Sequence, residues 1–255
     1  MTLQKCFLEE LHVKFIIVLL TLSSFLFSEV LKISFSRSAS EPYVYIDKRQ
    51  LTGGVLKELV DALSKQSGIT MQYILVPKRN QEQEMSEGNI DGSCLISPND
   101  LLNASSFQWS SVLYEEEDVL IVRKEDVNNI NNITSLYGHK VGTIQAHSYP
   151  HLDPYFKNNS IQRVENKKLA NNINQLRFGV VDAVVDTKLA VGHCIQKKNM
   201  QDKLVVSNKV IDKQELHCVF RKDMRVSLDK INSALSILKE KGVIEKILQK
   251  YRAAI

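Results

Sequence analysis

Apolar and polar positions alternate along Val30-Leu31-Lys32-Ile33-Ser34-Phe35, the period of a half-buried strand. A loop with Pro42, Tyr43 and Tyr45 leads to Gly53-Gly54, after which Val55, Leu56, Leu59, Val60 and Leu63 recur at helical spacing. Gly68 is placed to end that helix. Met71 to Val76 reads as the next strand, stopped by Pro77, and Gln81 to Glu87 as a polar helical stretch ended by Gly88. Asp91–Ile96 and Val119–Val122 are further short apolar runs.

A second series starts near Lys140. Val141–Ile144 reads as a strand, followed by a turn and a helix starting around Ser148. Leu169, Ile173, Leu176 and Phe178 form one helical stripe ended by Gly179, and Val180–Val185 predicts a buried strand delivering Asp186 at its C-terminal end. Leu189–Ile195 is helical, Leu216–Phe220 the last strand, and Ser227–Tyr251 two amphipathic helices separated by Gly242. Strands alternating with helices imply crossover connections and a parallel or mixed sheet. The predicted class is α/β, in two lobes, the first completed by the chain's end.

The first 28 residues are different. Lys5 and Lys14 precede an apolar core of about 13 residues running to Phe27, too short to span a bilayer and suited to a signal peptide. Cleavage after Ser28 is expected; an uncleaved N-terminal anchor is the alternative. Cys6 lies before the apolar run, which argues against lipoprotein attachment. The composition of the whole 255-residue chain is ordinary: 44% hydrophobic and 24% charged, which fits a globular protein.

Net charge is +4, but no Lys/Arg stripe interleaves with aromatics, so nucleic acid is excluded as the expected partner. After Cys6, three cysteines remain, and Cys194 with Cys218 is the first disulfide to test. No C-x-x-C and no H-E-x-x-H occurs, and no metal or cofactor is expected. Nucleophile elbows and P-loops are absent too, and the chain ends just after its last helical stripe, so no catalytic domain is expected.

Several segments, in this order, resemble the family-3 periplasmic solute-binding proteins, the polar amino acid receptors of ABC importers. They are Pro42-Tyr43-Val44-Tyr45, Glu87-Gly88-Asn89-Ile90-Asp91-Gly92, Ser97-Pro98, Lys140-Val141-Gly142, Phe178 to Asp186, and Leu238 to Ile247. The resemblance covers nearly all of residues 29–255. It implies a type II periplasmic-binding fold: two lobes, each a mixed sheet flanked by helices, joined by two crossing strands near Glu115–Val119 and Leu216–Phe220. Residues 29–118 plus 217–255 would form lobe 1 and 119–216 lobe 2. A small polar solute would be clamped between them by hinge motion in the periplasm, by a monomer without enzymatic activity, for an inner-membrane permease or, alternatively, a membrane sensor. A dehydratase on the same fold is the enzymatic alternative.

The family's amino-acid clamp pairs an Arg after the Ser/Thr-Pro step with the ligand carboxylate, adds N–H donors from a Gly-Thr turn, and takes the ammonium on an Asp. Asp186 matches that Asp; its alternative role is to cap the helix starting at Thr187. The turn has Ala146 and His147 where Gly and Thr are expected, with Ser148 able to cap and donate, and His147 read equally as a solvent-facing turn residue. The Arg is missing: Asn99 and Asp100 follow Ser97-Pro98, and a buried ligand carboxylate would lose a charge-assisted pair of about 1.5–3 kcal/mol. A cationic or neutral ligand therefore becomes the better fit. Tyr43, Tyr45 and Trp109 are candidate aromatic walls, Trp109 being more often a core residue, and Ser97 is a further ligand-binding candidate. Glu115-Glu116-Glu117-Asp118 reads as a solvated run at the hinge surface that can attract a cation at the cleft mouth.

Overall fold

The computed structural model describes residues 29–252, so the signal peptide expected over residues 1–28 lies outside the described residues. The first lobe is built on strands β1 (Val30–Phe35), β4 (Thr70–Leu75), β5 (Gly92–Ile96) and β6 (Phe107–Trp109), with helices α1 (Val55–Ser67) and α2 (Gln81–Ser86). A small hairpin, β2 (Tyr45–Asp47) with β3 (Gln50–Gly53), precedes α1. The second carries β7 (Tyr114–Arg123), β8 (Lys140–Ile144), β9 (Gln162–Asn166) and β10 (Ala183–Thr187), with α3 (Asp153–Lys157), α4 (Leu169–Arg177) and α5 (Lys188–Lys197). Strand β11 (Leu204–Arg221) returns, and α6 (Leu228–Glu240) and α7 (Val243–Arg252) pack on α1.

The strand order is β4-β1-β5-β11-β7-β10-β8-β9, with β6 paired to β11. β1 runs parallel to β4 and β5, and β8 parallel to β9 and β10, as the alternation of strand and helix requires. β11 serves both lobes: its earlier part pairs with β7 and its later part with β5 and β6. This is an α/β fold of two lobes joined by antiparallel crossing strands.

Local sequence explains the joints. α1 buries Val55, Leu56, Leu59, Val60 and Leu63 and ends on Gly68 at φ 71, whose N–H bonds the Ser64 carbonyl. After α4, Gly179 adopts φ 69, its N–H bonds the Leu176 carbonyl, and the Val180 N–H reaches back to the Gln175 carbonyl. That cap absorbs the start of the apolar run, so β10 begins at Ala183 and not at Val180, which is 53% exposed.

Three other expectations are corrected. The helix after β8 starts at Asp153 and not near Ser148, with Pro154 in its first turn, where a missing N–H costs no helical hydrogen bond. Glu115–Val119 pairs with Val210–Glu215; Leu216–Phe220 instead borders β5, β6 and the start of β7. The disulfide joins Cys94 to Cys218, which face each other on β5 and β11, while Cys194 sits on α5 as a free thiol.

Candidate ligand-binding cleft

The strand ends of both lobes converge on a cavity of about 130 Å³, well above what a single water needs. Apolar side chains including Phe35, Val44, Leu56, Ile144 and Leu216 form part of its wall, and polar and charged side chains form the rest. A register irregularity between His217 and Cys218 faces the place where Leu95 adopts φ 61, a left-handed conformation rare for leucine. Bulges of this kind re-aim a side chain, and Leu95 lines the cavity.

Tyr43 is placed by the N-terminus of α1. The free N–H groups of Val55 and Leu56 bond the carbonyls of Pro42 and Tyr43, both at 3.0 Å. Gly54, at φ 100, makes this approach possible: a Cβ there would lie 2.5 Å from the Tyr43 carbonyl oxygen. The Tyr43 hydroxyl then donates to Glu116 Oε2 at 2.6 Å and lies 3.1 Å from Thr187 Oγ1 on the opposite lobe.

Four carboxylates line the cavity: Asp100, Glu116, Asp118 and Asp186. Asp100 is paired. Lys78 Nζ lies 3.3 Å from its Oδ2, His147 Nδ1 3.3 Å from its Oδ1, and the Ser148 N–H donates to Oδ1 at 3.1 Å. Burial pushes this carboxyl up, but Lys78 and His147 outweigh it and hold it well below the usual range. For His147, burial works against the charged form, yet Asp100 and, more weakly, Asp118 raise its pKa.

Of the other three, Glu116 and Asp186 have no contacting cation, and Asp118 has only His147 Nε2, 3.9 Å from its Oδ2. Burial pushes Glu116 up to about 7, opposed by the Tyr43 hydrogen bond and reinforced by Asp118. It also raises Asp118, whose Oδ2 accepts from Gln214 Nε2 at 3.0 Å. Asp186, 6% exposed, is pushed up to about 6, with His147 and the Thr187 N–H offsetting only part of the burial. Its Oδ1 accepts from that N–H at 2.7 Å.

Three polar atoms on this cavity are buried without a hydrogen-bond partner: Asp186 Oδ2, His147 Nε2 and Gln214 Oε1. Buried polar groups are normally satisfied, so three on one cavity are the feature of a site shaped for something else.

Tyr43, Asp100, His147 and Asp186 thus come together as expected candidates. The helix after β10 is capped by Thr187, whose Oγ1 accepts from the Ala190 N–H, and not by Asp186. The remaining candidates lie elsewhere. Ser97 caps a short helical turn through Asn99, and Ser148 directs its hydroxyl to Asp153 Oδ2 at 3.1 Å. Tyr45 packs edge-on to His193, 6.2 Å between centroids. Trp109 donates to the Ala104 carbonyl and packs beside His217, because β6 faces the core of the first lobe.

Sequence reasoning missed Lys78, Gln214, Glu116 and Asp118. For the last two the signal was present. In a strand the acidic run alternates, and Glu116 and Asp118 point inward while Glu115 stays exposed. The solvated-run reading is corrected on this point.

Residues 32–254 match the model of the bacterial extracellular solute-binding proteins, family 3. The chain belongs to that family. Similar folds among solved structures agree. An ancestral arginine-binding protein bound to arginine shares 20% identity at TM-score 0.74, covering 87% of this chain and 97% of that one. The GluR0 ligand-binding core from Nostoc punctiforme in complex with (L)-glutamate shares 17% at 0.70, covering 87% and 98%. A histidine kinase sensor domain with similarity to periplasmic binding proteins shares 21% at 0.73, covering 87% and 95%. A search of curated proteins finds no match. In this family 3 solute-binding protein the cavity lies where the two lobes face each other. Among the described residues, no helix is long and apolar enough to cross a membrane.

Proposed function

We propose that this chain is an exported, non-enzymatic receptor that captures a small polar solute in the interlobe cleft and hands it to an inner-membrane permease. Residues 1–28 act as a cleavable signal peptide, and the mature protein works as a periplasmic monomer. Lobe 1 is assigned to residues 29–118 plus 217–255 and lobe 2 to 119–216, hinged where Tyr114–Val119 crosses Val210–Leu216. The Cys94–Cys218 disulfide supports export, since such bonds persist in oxidising compartments.

The observation that carries this reading is the set of buried, unpartnered atoms of Asp186, His147 and Gln214 on one cavity. A solute closing on them would satisfy groups that cost about 1–3 kcal/mol each when left alone. Similar folds bound to arginine and glutamate support a ligand of metabolite size. Likeness to a histidine kinase sensor domain supports a second reading, in which the loaded receptor signals to a membrane sensor.

The test is a thermal-shift screen of amino acids, amines and small organic acids, followed by small-angle scattering with each hit. A ligand is expected to raise the melting midpoint by mass action and to reduce the radius of gyration. A screen without any stabilising solute would overturn the receptor reading.

A further inference from the structure

The hydrogen-bond inventory of the cleft specifies its ligand further than the receptor reading alone. Gln214 Nε2 donates to Asp118 Oδ2 at 3.0 Å and to the Ser148 carbonyl at 3.2 Å. Both partners are acceptors, so the unpartnered atom is necessarily the carbonyl oxygen. Asp186 Oδ2 is a second free acceptor. His147 Nδ1 faces Asp100, and its Nε2 has the Asp118 carboxylate 3.9 Å away. Of the three unpartnered atoms, the two carried by Asp186 and Gln214 are therefore acceptors, while Lys78 Nζ lies 3.2 Å from His147 Nδ1.

Charge points the same way. The cations lining the cavity are Lys78 and His147, and both are drawn onto Asp100, whose side chain is 2% exposed. Glu116 and Asp186 are left with no contacting cation, Asp118 has only His147 Nε2 at 3.9 Å, and among the described residues no arginine lines the cavity. A carboxylate placed here would meet buried negative charge without a guanidinium to bind it. Cations do occur outside, where Arg37, Arg49, Arg79, Lys167 and Lys168 border a neighbouring groove. They are exposed, so salt screens them over about 8 Å, and they affect rates of approach more than the choice of ligand.

We propose, resting on the receptor reading above, that the cleft takes a small organic amine bearing no carboxylate. Its ammonium or guanidinium donates to Asp186 Oδ2 and Gln214 Oε1, and its carbon body packs on Phe35, Val44, Leu56 and Ile144. Asp100 has the role of selecting against amino acids, by holding Lys78 and His147 away from any ligand carboxylate.

Titration calorimetry with pairs differing only in a carboxylate tests this on the intact protein: agmatine against arginine, cadaverine against lysine, 2-phenylethylamine against phenylalanine. In at least one pair the amine is expected to bind ten-fold or more tightly than its amino acid. Equal or tighter binding of the amino acid in every pair that binds would overturn the amine assignment and leave the receptor reading standing. If none of the six binds but another carboxylate-bearing solute does, the amine assignment again fails alone. Failure of every solute in the wider screen overturns both. Asp100→Asn, which frees Lys78 and His147, is expected to raise arginine affinity at least five-fold. An unchanged arginine affinity, in a variant with native circular dichroism, would contradict the role given to Asp100.

Discussion

Asp100 and His147 meet across the cleft, Oδ1 to Nδ1 at 3.3 Å, one from the turn after β5 and the other from the turn after β8. With Lys78 on the other carboxylate oxygen, they form an ionic bridge between the lobes. Such a bridge favours the closed arrangement. His147→Ala leaves a buried carboxylate with one cation fewer, and the expected loss is about 1–3 kcal/mol by urea denaturation. The same variant is expected to show a larger radius of gyration in scattering without ligand.

Stability should fall as pH rises. Asp186 and Glu116 have pKa values raised by burial to about 6 and about 7, and Asp118 is also raised. A carboxyl raised on folding contributes stability below its unfolded pKa and loses it as pH passes its folded value. His147, also raised, contributes in the same direction. Asp100, which is lowered, adds stability that is lost only under strong acid. Melting of the ligand-free protein is therefore expected to shift downward between pH 5 and 8, by an amount equivalent to a few kcal/mol. A midpoint that rises over this range would contradict the assignment.

The cross-link of Cys94 to Cys218 closes a loop with a sequence separation of 124 residues. Reduction, or the double change Cys94→Ala and Cys218→Ala, is expected to cost about 2–5 kcal/mol in denaturant unfolding. Mass mapping of the oxidised protein should find Cys194 free to react with alkylating agents.

Gly54 and Gly68 provide an internal control. Both have positive φ, but only a Cβ at Gly54 collides with backbone, while nothing lies within 4 Å at Gly68. Gly68→Ala is expected to cost about 1–2 kcal/mol for its left-handed backbone. Gly54→Ala should cost more, and it should also weaken ligand binding, because the displaced loop carries Tyr43 away from Glu116 and Thr187. Urea melts and calorimetry on the two variants separate these outcomes.

The helices and most strands were legible because burial follows period 3.6 or 2, as in α1 and β1. The first part of β11 was not, since Asp212 and Gln214 are polar residues that turn inward. Polarity normally signals surface, and a wet crossing strand breaks that rule at the place where function lies. The disulfide failed similarly: Cys194 with Cys218 was the first pair to test, whereas pairing of β5 with β11 decides for Cys94. Within the site, Asp186 was marked by the family resemblance, as the match to the ammonium-binding Asp after the buried strand. Lys78 and Gln214 carried no local signal, because their role comes from strands that meet only in the folded chain.

Asp186 concentrates the account in one side chain: buried, half-satisfied and facing the cavity. Asp186→Asn removes its charge at nearly constant volume. Measured together on that variant, ligand affinity by calorimetry and ligand-free stability by urea denaturation are expected to move in opposite directions. Affinity should fall at least 100-fold, and stability at pH 8 should rise by about 1–3 kcal/mol as a buried charge is lost. An affinity within two-fold of the unaltered protein would contradict the assignment of this cleft.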